Sequence, residues 1–316
     1  MLFSEGLSMN ILFKQLLFIF LGLIVSVSGF SMEEEEILAR TSEIEEKLNN
    51  GDNDLWSVVD SNIGVGARDL NIDISRLLWR YGIDSVDESF RKEVVERLSI
   101  LTTDPMTENY SMGYLLDFES VDFTEASISI LQPWLTSNIN SHRILLLGVV
   151  PVESADAIID SILNKIVYVE NQSVSQTDEI SWAALRAKAR KGNVQSESRA
   201  IWLVENERAE DDVVVRYLSD LASIRSERIV RYIASYLFKE NSVNIVGPDQ
   251  EKISDTLTVI HESHYKSSTP YSIYAAKALR IATNDIPATS RNITSSDVSS
   301  LKEWALSKFG QDFYMD

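Results

Sequence analysis

The chain is 316 residues long, contains no cysteine and carries 48 acidic against 29 basic side chains, a formal net charge of −19. An acidic excess of this size repels phosphate backbones and anionic headgroups, which argues against nucleic acid and membrane surfaces as general partners. The missing cysteine excludes disulfide staples, thiol catalysis and thiolate metal sites, so stability must come from a buried core, which a chain of this length can supply.

At the amino terminus, Leu16 to Val27 is an almost unbroken apolar run, preceded by Lys14 and followed by the small residues Ser26, Ser28 and Gly29. A run of about a dozen is too short for a bilayer, which needs roughly 20 apolar residues, and fits the core of a secretory signal. Residues 1–29 therefore read as a signal peptide cut after Ser28 or Gly29. Translation is expected to begin at Met9, because Met1 to Ser8 holds Glu5 and no positive charge. The leader removes one acid, Glu5, and one base, Lys14, so the mature chain keeps its full charge. Export without disulfides points to a periplasmic or secreted protein of a bacterial envelope, with no stable membrane insertion after cleavage.

Beyond the leader, apolar residues recur at helical spacing, and glycine (12) and proline (6) are scarce. The spacing predicts helices over Glu33 to Leu48, Asn71 to Tyr81, Asp87 to Leu101, Ser141 to Val149 and Ser154 to Val167. It continues with one from Thr177 or Asp178 to Gly192, then Ser196 to Glu207, Asp211 to Ala222, Ser226 to Lys239, Asp249 to His261 and Tyr271 to Ala282. A last helix opens at Ser296 and Asp297 and closes at Gly310. Glu33 to Glu36 complement the dipole of the first helix. Pro133 predicts a break in the segment Phe123 to Leu135. The class expected is all-α, and the short gaps make successive helices antiparallel neighbours. Three regions follow: the leader at 1–29, an amino-terminal helical region at 30–140 and a repeat region at 141–316.

The repeat reading rests on helix openings near Asp178, Asp212 and Asp249, spaced about 34 to 37 residues apart as expected for a repeating helix pair. Within the first of them the run Asp178-Glu179-Ile180-Ser181-Trp182-Ala183-Ala184-Leu185-Arg186-Ala187, ended by Gly192, resembles the HEAT-like repeats, particularly the short type also found in phycobilisome lyase proteins. The pattern recurs more weakly in Asp212 to Leu218, Glu227 to Ala234 and Ser272 to Leu279, and the resemblance covers Ser141 to Ala282. Ser181 departs from it, standing where an arginine is common. The resemblance implies an α-solenoid of at least four stacked helix pairs between Ser141 and Gly310, with Ile180, Leu185, Ile229, Ile233, Ala275 and Leu279 buried. Such solenoids are mostly scaffolds and binding surfaces. Chromophore-lyase activity does not carry over, because nothing here matches a catalytic residue.

Candidate chemistry is sparse. His261 and His264 at i and i+3 lack a third ligand, and His142 stands at a helix start, so no metal or cofactor is expected. Carboxylates are abundant, yet no pair stands out by spacing or by an apolar setting. Trp182, Trp202 and Trp304 sit among core-facing neighbours and read as packing. Charge, however, is polarised along the chain: Met32 to Asn140 holds 23 acidic and 8 basic residues, a net of −15, whereas Trp182 to Glu240 holds 9 acidic and 11 basic, a net of +2. Arg228 and Arg231 fall opposite the apolar side of the helix from Ser226, with Arg225 one turn earlier, and Arg186 and Arg190 at i and i+4 make a second ridge. Aligned in neighbouring repeats, these five arginines would line a groove suited to carboxylates or an acidic peptide. The function expected is that of an exported, non-catalytic scaffold binding another protein or peptide; the alternative is a carboxylate-dependent enzyme, of glycosidase or lyase type, on the same helical frame.

Overall fold

The computed structural model describes residues 32–63, 67–166, 172–207, 212–239, 242–246, 266–287 and 292–311, with the single residues 65, 289 and 313. Among these the fold is helical, with one two-stranded ribbon. The expected leader, the helix expected over Asp249 to His261, and both His261 and His264 lie outside the described residues. Two compact units divide between Leu115 and Leu116, earlier in the chain than the boundary expected at 140/141.

The first unit contains α1 (Glu34–Asn50), α2 (Leu55–Ile63), α3 (Arg68–Ile83), α4 (Glu88–Thr103) and α5 (Glu108–Leu115). Glu34, Glu35 and Glu36 occupy the first turn of α1, where the exposed amides favour negative charge, although Glu33 makes no side-chain cap. Gly51 closes that helix in the left-handed region, at φ 67°. Asp87 caps α4 by accepting from the amides of Ser89 and Phe90. Ile44, Leu70, Ile74, Leu78, Val94 and Leu98 are fully buried and form this unit's centre. Helices α2 and α5 are additions to the sequence-based set; both are short, at 9 and 8 residues, and a pattern of that length gives periodicity little to register.

In the second unit the chain runs through α6 (Glu125–Ser137), α7 (Ser141–Leu147), α8 (Ala155–Leu163), α9 (Glu179–Arg190), α10 (Val194–Glu205), α11 (Asp212–Ala222) and α12 (Glu227–Ser235). A ribbon pairs β1 (Ser242–Val246) antiparallel with β2 (Lys266–Pro270), Ser242 opposite Pro270, before α13 (Tyr271–Ala282) and α14 (Ser295–Phe309). Side-chain caps open most of these helices: Asn140, Asp178, Asn193 and Ser226 each accept from an amide three residues on. Thr294, rather than Ser296, caps α14, in a reciprocal pair with Asp297. Pro133 does not break α6. Both Pro133 and Ser129 are exposed, so the carbonyl that loses its amide partner is open to hydration.

The packing follows chain order. Every pair of helices with substantial contact lies one or two helices apart along the chain, among the described residues. Helix α9 is the most enclosed, meeting α7, α8 and α10, and α11 lies chiefly against α13. Helix α7 approaches α9 closely because Gly148, just past the end of α7, has no side chain: a Cβ there would lie 2.8 Å from the Ala187 Cα. Leu185, Ile229, Ile233, Ala275 and Leu279 are buried as expected, whereas Ile180 is 39% exposed. It lies in the first turn of α9, ahead of the enclosed stretch Ser181 to Ala187.

Candidate functional site

The five arginines expected to line one groove divide into two kinds. Arg186, Arg190 and Arg225 are turned inward, and only Arg228 and Arg231 lie on exposed surface. For Arg186 and Arg190 the reason is the position of α9: a helix covered on three sides has no solvent ridge, so a guanidinium there must be paired within the protein.

Arg186 is 7% exposed and stands 5.1 Å from the ring centre of Trp182, one turn earlier on α9. Its Nη1 pairs with Asp220 Oδ1 at 3.1 Å, and Trp182 Nε1 donates to the other oxygen of the same carboxylate at 2.9 Å. Asp220 belongs to α11, so one acid ties α9 to a helix two places on. Burial lowers the Arg186 pKa against the attraction of Asp220.

Arg190 and Arg225 converge on the segment that opens the second unit. Arg190 donates to the carbonyls of Leu116 (2.8 Å), Phe118 (3.0 Å) and Ser223 (3.1 Å). Arg225 donates to the Asp117 carbonyl at 2.6 Å, to Asp117 Oδ1 at 3.2 Å and to Glu119 Oε1 at 3.0 Å. Burial, with the Arg225 charge alongside, brings Arg190 down to about 10, still protonated at neutral pH. Arg225 is also the one described non-glycine residue in the left-handed region, at φ 56°. A strained backbone of this kind persists where its surroundings over-determine it, and here the three contacts of the side chain do so. Beside this strap lies a depression of about 470 Å³, bordered by Glu119, Ser120, residues 148–151 and residues 190–192.

Arg228 is paired with Ser198 and lies 3.8 Å from Glu197. His142 is exposed, and among the described residues no group of three or more histidines and acids is placed to hold a metal ion. Trp182 is buried and Trp202 and Trp304 are partly buried against the same core, in keeping with packing. Similar arginine–tryptophan brackets recur: Arg143 stands 4.2 Å from the ring centre of Trp134, and Arg97 4.5 Å from that of Trp56 while it pairs with Asp60 and Glu93.

A wider depression, about 670 Å³, lies in the first unit. Leu48, Gly51, Arg80, Tyr81, Asp84, Ser85, Asp87 and Phe90 line it. None of these residues has a binding role among the sequence-based expectations. Its signal was faint: two acids flanking Val86, an apolar residue that is 98% exposed, in a turn between two helices. Comparison of the chain with protein-family models, curated sequences and solved structures returns no match, so the site is read from its own geometry.

Proposed function

We propose that this chain is an exported, non-catalytic scaffold of a bacterial envelope, a HEAT-like α-solenoid of antiparallel helix pairs whose task is to hold another protein or peptide. The observation that carries the reading is packing in chain order, in which each helix meets mainly those one or two helices along the chain. Repeat stacks are built in this way and expose long continuous faces to partners. Ties with about one repeat between their ends support it further: Trp182 to Asp220 and Ser141 to Glu179 between helices, and Ser175 to Glu207 between connecting segments. The inward arginines belong to that frame, which leaves the acidic first unit and the Arg228–Arg231 face as surfaces for partners.

Cross-linking in intact cells of the source organism, followed by mass spectrometry, tests both halves of the proposal. A mature terminus near residue 30 and a reproducibly attached envelope protein are the expected results. A chain that retains Met1 or Met9, or that stays without attached protein across cross-linkers of different reach, contradicts it.

A further inference from the structure

The depression in the first unit combines an apolar floor with an acidic rim. Leu48 is buried at its base, and Tyr81 and Phe90 are half-buried. Both rings are held: the Tyr81 hydroxyl donates to Asn49 Oδ1 at 2.7 Å, and Phe90 lies 5.3 Å, centre to centre, from Trp56. The cation lining the groove, Arg80, is committed to the protein itself, paired with Glu45 and 4.8 Å from the Tyr81 ring centre, and the nearby Arg91 is likewise engaged, donating to the Ser85 carbonyl at 3.0 Å. The two rim acids are differently placed. Asp87 caps α4, whereas Asp84 follows the last residue of α3, where the helix carbonyls already present negative charge. Among the described residues Asp84 has no salt bridge, and residues 32–115 carry 19 acidic against 8 basic side chains, a net of −11. An unpaired acid at a helix carboxyl end, beside an open aromatic floor, is a misfit in the free chain that an incoming cation would relieve.

We infer that this groove docks an extended basic segment of a partner protein, its aliphatic side chains lying on Leu48, Tyr81 and Phe90 and its lysine or arginine reaching Asp84 and Asp87. Charge complementarity names the occupant. An acidic segment would meet two carboxylates inside a strongly negative unit, and a neutral apolar one would leave Asp84 uncompensated. The inference rests on the scaffold reading and gives it a partner class and a place.

The test uses the full mature chain and a dye-labelled, end-blocked peptide of alternating lysine and leucine, with the glutamate–leucine peptide as control, followed by fluorescence anisotropy. Saturable binding of the lysine peptide is expected, weakened about tenfold by Asp84→Asn with Asp87→Asn and reduced again as salt rises. Asparagine retains the cap of α4 at position 87, so the double variant should fold, and Asp84→Lys alone provides a second, cap-independent loss. Neutralising two exposed acids on α1, Glu43→Gln with Glu46→Gln, should leave affinity within about twofold, because they lie outside the groove. Absence of saturable binding, equal affinity for the glutamate peptide, or equal weakening by the α1 variant overturns the groove. A partner recovered by cross-linking in cells together with such a result removes the groove and leaves the scaffold reading standing.

Discussion

A capping carboxylate contributes most while it is ionised, and Asp178 gives that dependence a definite sign. Its bonds to Ser181 hold its pKa below the ordinary 3.8, so its contribution is fully present above that value and is lost as pH falls through the lower, folded-state value. Thermal melts of wild type and Asp178→Asn should therefore differ little at neutral pH and diverge to the disadvantage of wild type only in acid below 3.8. Asp178→Ala should cost about 1 kcal/mol throughout the neutral range. Asp84 presents the opposite case. Replacing it with lysine puts a cation where the end of α3 favours one, and urea unfolding should show a gain of about 0.3–1 kcal/mol together with the loss of peptide binding. A residue whose removal stabilises the free chain while it abolishes binding is there for the partner.

At the scale of elements, the contrast between inward and outward arginines is open to direct measurement. Arg190→Met leaves the Leu116, Phe118 and Ser223 carbonyls without their donor and should cost about 3 kcal/mol in denaturant unfolding. Arg228→Ala and Arg231→Ala, on exposed surface, should each stay within about 0.5 kcal/mol. Gly148→Ala drives a methyl group against the Ala187 backbone and should cost about 1–3 kcal/mol, visible as a lowered melting temperature. Much of this level was legible in the sequence. Asp178, Asp87, Ser226 and Gly192 mark helix ends by local chemistry, and the buried stripe through Ile229, Ile233, Ala275 and Leu279 follows from spacing alone. The burial of Arg186 was not legible as a ridge, because helical spacing fixes only which residues share a face, and the neighbours that cover that face are set by tertiary packing. One local sign was present: Trp182 one turn before Arg186, inside a run of alanines that admits close neighbours. The unit 1 groove was hidden for a related reason, since Leu48, Tyr81 and Phe90 come from different helices and meet only in the fold.

For the molecule as a whole, charge and packing point in complementary directions. The second unit turns Arg186, Arg190 and Arg225 inward as ties within its frame, while the first unit carries the larger share of the net negative charge, −11 over residues 32–115. A scaffold arranged in this way should meet a partner through the acidic groove rather than through an arginine face. A photo-activated cross-linking residue placed at position 86, exposed between the groove residues Ser85 and Asp87, and separately at position 231, on the exposed arginine face, decides between them in cells. The account predicts that a basic envelope protein is captured from position 86 and not from position 231; capture from position 231 alone would contradict it.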